Sequence, residues 1–159
     1  DFQRVIEYMP GYAEPYYQRG ISRAMTGDNR GALSDFSRAL SINPKYIEAL
    51  SARGLARIRN RNYSEAIEDL NTVIGMQPGN AELYYRRALA RTRMNDYAGA
   101  EEDCSQALKR KKGYSEVYFL RGIVRGELGN REGMLADLKL AAASGYEPAR
   151  KLLKKERGR

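Results

Sequence analysis

The chain has 159 residues, 42% hydrophobic and 30% charged, a composition typical of a soluble globular protein with a substantial core. It contains no histidine and a single cysteine, Cys104, which excludes an internal disulfide and removes the commonest general base and metal ligand. No apolar run reaches the roughly 20 residues that a membrane-spanning helix needs, and the net charge of +8 makes a polyanionic partner one function to weigh.

Four copies of one residue pattern follow each other at an interval of 34 residues. Each copy has Tyr or Leu, an Arg three residues later, Gly or Ala directly after that Arg, and a second Arg four residues after the first. A unit of this length cannot bury its apolar face alone and has to stack on its neighbours. The copies are Tyr16-Arg19-Gly20-Arg23, Leu50-Arg53-Gly54-Arg57, Tyr84-Arg87-Ala88-Arg91 and Tyr118-Arg121-Gly122-Arg125.

The chain order of the predicted elements follows from this register. Residues 1–12 match the second helix of a unit, so we expect a truncated repeat there, with Phe2, Val5 and Ile6 forming an apolar edge and the sequence being part of a longer protein. Residues 149–159 are predicted to form a capping helix and tail. Four full repeats lie between them, at 13–46, 47–80, 81–114 and 115–148.

Each full repeat is predicted to be a helix, a short turn and an antiparallel helix. In the first repeat, Tyr16 and Gly20 fall on one helical face, and Asp28 can cap the second helix because its short side chain accepts a first-turn N–H. That helix ends near Pro44, because proline cannot continue it. The equivalent caps in the later repeats are Asn62, Asp96 and Asn130.

These repeats resemble the tetratricopeptide repeat family over nearly the whole chain. The resemblance rests on the 34-residue period, the Gly or Ala of the first helix, the series Ala32-Phe36-Ala39 of the second helix and the closing Pro44. Arginines replace the leucine and the aromatic residue that usually flank the glycine. The resemblance implies an all-α, right-handed superhelical solenoid of antiparallel helix hairpins, acting as a protein-interaction scaffold without catalysis or a cofactor.

In each of the four copies, one aspartate follows the first arginine by 16 residues. Because the turn lies midway, each Asp is expected to face its Arg across the hairpin, and the second Arg can share the same carboxylate. An unpaired buried charge is too costly to repeat four times, so we interpret the set as a structural ion network rather than a basic ligand-binding stripe. Its members are Arg19, Arg23, Asp35, Arg53, Arg57, Asp69, Arg87, Arg91, Asp103, Arg121, Arg125 and Asp137.

The resemblance also implies that the first helices line the concave face of the array, where a partner segment would bind. An aliphatic stripe flanked by aromatic residues and cations suits a peptide with hydrophobic side chains and an acidic group. Packing of one first helix on the next is the alternative role of the aliphatic residues. The predicted partner groove consists of Tyr17, Ile21, Ser51, Leu55, Arg59, Tyr85, Arg86, Leu89, Arg93, Phe119 and Ile123.

Other functions are less favoured or left open. Some family members clamp the acidic C-terminus of chaperones, but only Arg86 fits the clamp positions, so we expect no such clamp. Binding of nucleic acid or another polyanion through the arginines is one alternative, and self-association through the unpaired N-terminal helix is another. Cys104 is expected to be a buried small hydrophobic residue. No residue group indicates an enzyme or a metal site, and the sequence does not identify the partner or the compartment.

Overall fold

The computed structural model describes residues 2–8 and 10–157, apart from the side chain of Arg157. All regular structure in these ranges is α-helical, which confirms the predicted all-α class. No helix in the described part of the chain is long and apolar enough to span a membrane. The chain divides into an N-terminal unit, Asp1–Pro78, and a C-terminal unit, Gly79–Arg159.

The N-terminal unit contains two complete helix hairpins and one additional helix. Helices α2 and α3 form the first hairpin, α4 and α5 form the second, and α3 packs on α4. The additional helix, α1, packs on α2. The helices are α1 (Phe2–Tyr8), α2 (Ala13–Met25), α3 (Asn29–Ile42), α4 (Ile47–Arg59) and α5 (Tyr63–Met76).

The C-terminal unit repeats this arrangement and adds its extra helix at the other end. Helices α6 and α7 form one hairpin, α8 and α9 form the next, α7 packs on α8, and α10 packs on α9. The helices are α6 (Ala81–Arg93), α7 (Tyr97–Arg110), α8 (Ser115–Glu127), α9 (Arg131–Ala143) and α10 (Glu147–Arg157).

The turn within each hairpin owes its geometry to the residues around the cap. The side chain of Asp28 accepts a hydrogen bond from the backbone N–H of Gly31 at 2.8 Å, as expected of an N-cap. Asn62 occupies the equivalent place without a side-chain capping bond. The residue before each cap is left-handed, a conformation that favours Gly and Asn. Its φ is +86° at Gly27, +63° at Arg61, +61° at Asn95 and +78° at Gly129.

Small residues of the first helices let the two helices of a hairpin approach closely. A Cβ atom on Gly20 would lie 2.6 Å from Cε1 of Phe36, which is fully buried. The close approach leaves no room for a larger side chain on α2, and it brings the polar residues of the two helices within hydrogen-bonding reach. The equivalent pairs are Gly54 with Leu70 and Gly122 with Leu138.

Candidate functional site

The arginines and aspartates of the N-terminal unit meet across each hairpin. Arg19 holds Asp35 with two nitrogens, Nε at 2.9 Å from Oδ2 and Nη2 at 2.6 Å from Oδ1, and Nη1 of Arg23 lies 2.9 Å from Oδ2. The hydrogen bond with Asp35 raises the pKa of the Arg19 guanidinium above its ordinary value, so this arginine stays charged. The same arrangement recurs in the second hairpin with Arg53, Arg57 and Asp69.

The C-terminal unit contains the same network twice. Arg87 holds Asp103 through Nε at 2.9 Å and Nη2 at 2.6 Å, and Nη1 of Arg91 lies 2.9 Å from the same carboxylate. Only 1% of the Asp103 side chain is exposed, and a carboxylate buried to this degree is tolerated because its acceptor sites are filled. The second copy consists of Arg121, Arg125 and Asp137.

The network also joins neighbouring hairpins within each unit. Nη1 of Arg53 donates to Oγ of Ser37 at 3.4 Å, and Nη1 of Arg121 donates to Oγ of Ser105 at 3.1 Å. In the C-terminal unit, Nε of Arg125 donates to Glu101 at 2.7 Å. These links were not predicted, although Ser37 and Ser105 both lie 16 residues before their arginine. The arginines thus hold the stacking of the hairpins as well as the hairpins themselves.

Aromatic residues of the predicted groove pack against the tyrosine that precedes the next first helix. The rings of Tyr17 and Tyr46 have centroids 5.0 Å apart, and the Tyr46 hydroxyl donates to Glu14. This hydrogen bond lowers the pKa of Glu14. One side of the Tyr17 ring is therefore packed against Tyr46 of the same chain. The equivalent pairs in the C-terminal unit are Tyr85 with Tyr114, at 5.4 Å, and Phe119 with Tyr146, at 5.2 Å.

An open depression of about 340 Å³ lies between α2 and α4, near their C-terminal ends. Its floor includes the buried ring of Phe36, and Ile21 and Leu55 line it from the two helices. Met25, whose side chain is 83% exposed, and Arg59 belong to the same lining. Three of the predicted groove residues, Ile21, Leu55 and Arg59, thus share one concave, largely apolar surface.

A second depression, of about 330 Å³, lies where α8, α9 and α10 meet. Ile123 and Met134 contribute apolar lining, and Glu127 and Glu156 contribute carboxylates. Glu156 forms an ion pair with Arg131 at 3.1 Å. The two depressions share equivalent first-helix positions, but Arg59 of the first is replaced by Glu127 in the second, whose lining also includes Arg131.

The remaining predicted groove residues lie on the first helices. Ser51 and Leu89 are partly buried on α4 and α6, and Arg93 is exposed at the end of α6. Arg86 pairs with Glu82 of the same helix, with Nε 3.0 Å from the carboxylate.

The sequence comparison identifies the family. A family model described as tetratricopeptide repeat matches residues 17–69 and 51–116, which together make up more than half of the chain. The chain belongs to the tetratricopeptide repeat family. No curated protein sequence matches it significantly.

Solved structures with the same tetratricopeptide repeat fold include those of MamA. MamA from Desulfovibrio magneticus RS-1, residue 41 to the end, has a TM-score of 0.88 and 19% identity, over 92% of this chain and 82% of that one. Another crystal structure of MamA has a TM-score of 0.87 and 20% identity, over 94% of this chain and 87% of that one. At these identities the similarity establishes the fold.

Within these tetratricopeptide repeats, sequence reasoning missed the residues that shape the groove surface. Tyr46, Tyr114 and Tyr146 were not selected, although each directly precedes a helix that follows a hairpin. Phe36 and Met25 line the α2–α4 depression but belong to no predicted site. No group of three His, Cys, Asp or Glu residues in the described ranges is arranged to hold a metal ion.

Proposed function

We propose that this chain is a non-catalytic protein-interaction scaffold that binds partner segments on the faces of its first helices, α2 and α4 in the N-terminal unit and α6 and α8 in the C-terminal unit. The tetratricopeptide repeat fold supports a scaffold of this kind. The proposed binding face rests on the partial exposure of its aliphatic residues. Ile21, Leu55, Leu89 and Ile123 occur at one repeat position and all keep part of their surface exposed.

The ion network favours this proposal over a polyanionic partner. Eight arginines of the repeat pattern are held by buried aspartates, so they are not available as a phosphate-binding stripe. Apolar side chains are then the main groups on the first-helix faces that can contact a partner. A partner held mainly by apolar contacts is expected to bind with little dependence on salt, whereas a nucleic acid releases counterions and binds with a steep dependence.

Selection from a random peptide library on the immobilised chain tests the proposal. The selected peptides are expected to bind the wild type, and Leu55→Lys or Ile123→Lys should weaken binding of the respective peptides by at least about tenfold, because the substitution buries a charge in an apolar contact. Leu140→Lys is the matched control, since Leu140 is exposed on the second helix α9. Equal losses in all three variants would contradict the first-helix assignment.

Self-association is a second candidate, favoured by the surface of α1. Phe2 and Val5 are 44% and 40% exposed, while Ile6 is buried, so two of the three residues of the predicted apolar edge are available to a second copy. Sedimentation of the chain over a hundredfold concentration range would reveal the association. Phe2→Asp combined with Val5→Asp should then abolish the concentration dependence, and a mass that does not change with concentration would exclude it.

A further inference from the structure

We infer that the depression between α2 and α4 binds a bulky aliphatic side chain of the partner that lies next to a carboxylate. This inference rests on the proposed scaffold function and specifies the chemistry of the partner at one place. It concerns the N-terminal unit alone.

The shape and lining of the depression favour an aliphatic occupant. Phe36 forms the floor, and Ile21 and Leu55 lie at the sides. The depression, of about 340 Å³, has room for several waters when no partner is bound. Apolar walls offer such waters few hydrogen bonds, so an aliphatic side chain that displaces them gains affinity.

Two alanines create the depression. Ala52 and Ala56 lie on the α4 wall, and Ala56 is buried. At the equivalent positions of α8, the C-terminal unit has Leu120 and Val124, which are both buried. The alanines of α4 thus leave open a space that side chains of the size of Leu120 and Val124 would occupy.

The charge of the depression selects an anion beside the aliphatic group. Arg59 is the only charged residue of the lining, and no carboxylate of the described residues lies within salt-bridge distance of it. Its neighbour Arg57 is held by Asp69 and cannot compete for the ligand. Helix C-termini carry partial negative charge, which disfavours an anion at this end of α2 and α4. A partner carboxylate therefore needs the Arg59 guanidinium in order to bind here. The equivalent residue of α8 is Glu127, so the C-terminal unit does not share this preference.

Met25 adapts the rim to different aliphatic groups. It is the last residue of α2, and its side chain is 83% exposed. An unbranched, polarisable side chain can change rotamer to cover leucine, isoleucine or methionine alike. The expected partner motif is therefore Leu, Ile or Met adjacent either to Asp or Glu or to the carboxylate of a chain terminus.

Peptide selection with a charge reversal tests this chemistry. The probes are two random hexapeptide libraries, one amidated at the C-terminus and one with a free carboxylate, so that the source of the anion is distinguished. The wild type should select an aliphatic residue next to Asp or Glu from the amidated library, or at the terminus from the free one. Arg59→Glu should weaken these peptides by about tenfold or more and select Lys or Arg in place of the anion. Leu55→Lys should lose the aliphatic preference.

The control for Arg59→Glu is Arg30→Glu, which makes the same charge change at an exposed residue of the second helix α3. Arg30→Glu should select the same peptides as the wild type. If Arg59→Glu also does so with unchanged affinity, the inference is overturned. The scaffold proposal survives that result when Ile123→Lys still weakens the selected peptides, and it fails together with the inference when the wild type selects no peptide at all.

Discussion

Gly20 lies so close to Phe36 that a Cβ atom on residue 20 would stand 2.6 Å from the ring carbon Cε1, well inside the distance at which carbon atoms attract. This glycine therefore sets the separation of α2 and α3. We expect Gly20→Ala to lower the free energy of unfolding by about 1–3 kcal/mol, because Phe36 or the helix has to shift. Urea unfolding followed by circular dichroism measures the change.

Gly75→Ala is the matched control for this prediction. Gly75 lies in α5, and an added Cβ meets no atom within 4 Å. Alanine there should raise the free energy of unfolding by up to about 1 kcal/mol, because it restricts the unfolded chain and favours the helix. A similar increase in the free energy of unfolding for Gly20→Ala would show that the first hairpin accommodates the added Cβ atom without strain.

In the hairpin of α6 and α7, the small and large residues at the positions of Gly20 and Phe36 are exchanged for two residues of similar size. Ala88 replaces the glycine, and the buried Cys104 occupies the place of Phe36. Cys104→Leu should destabilise the chain by about 1–3 kcal/mol through overpacking. Adding Ala88→Gly should restore part of the loss, although the same substitution alone costs about 1 kcal/mol in helix propensity. A double-mutant cycle from urea unfolding measures this coupling, and strict additivity of the two changes would refute the compensation.

Asp69 anchors two arginines of the N-terminal unit. Asp69→Ala leaves Arg53 and Arg57 without their carboxylate, and we expect a loss of about 1–3 kcal/mol in the free energy of unfolding. The loss stays below that of a fully buried pair because both guanidinium side chains are about one-fifth exposed. Glu68→Ala, on the adjacent exposed residue, should change stability by less than about 0.5 kcal/mol. Equal melting curves for the two variants would show that the network does not stabilise the fold.

The stability of the chain should fall at alkaline pH through Tyr85. Burial raises the pKa of Tyr85 to about 12, so the folded state holds this proton more tightly than the unfolded state, whose tyrosine pKa is about 10. The stabilising effect is complete below about pH 10 and is lost as the pH rises towards 12. The urea midpoint should decline less between pH 9 and 11 in Tyr85→Phe than in the wild type. Tyr8→Phe, on a residue that is 86% exposed, should follow the wild type.

The contacts between Arg and Asp within each hairpin could be anticipated because they depend on one hairpin only. Arg19 and Asp35 are equally far from the turn, and two antiparallel helices bring such residues opposite each other. The links to the next hairpin could not be anticipated in this way. Whether Arg53 reaches Ser37 depends on how two hairpins stack, and the repeat period does not specify their separation.

The groove was less predictable than the network. Its candidate residues were assigned from a family likeness, and the structure places Ile21, Leu55 and Arg59 on one concave surface. Tyr146 packs on Phe119 but lies 32 rather than 34 residues after Tyr114, so periodicity alone does not select it. The depression beside Leu55 depends on two alanines of the same helix, Ala52 and Ala56, and the pattern of apolar residues does not distinguish a filled space from an open one.

The hairpin, its 34-residue repetition and its internal ion pairs could be predicted from the residues alone, because periodicity, caps and symmetry about a turn are local properties of the chain. Which apolar side chains are buried by packing and which remain exposed depends on how the helices pack in three dimensions. Tyr85 and Phe119 look alike on a helical wheel with Ile21 and Leu55. In the folded chain, Tyr85 and Phe119 pack against Tyr114 and Tyr146, whereas Ile21 and Leu55 line an open depression because Ala52 and Ala56 are too small to fill it.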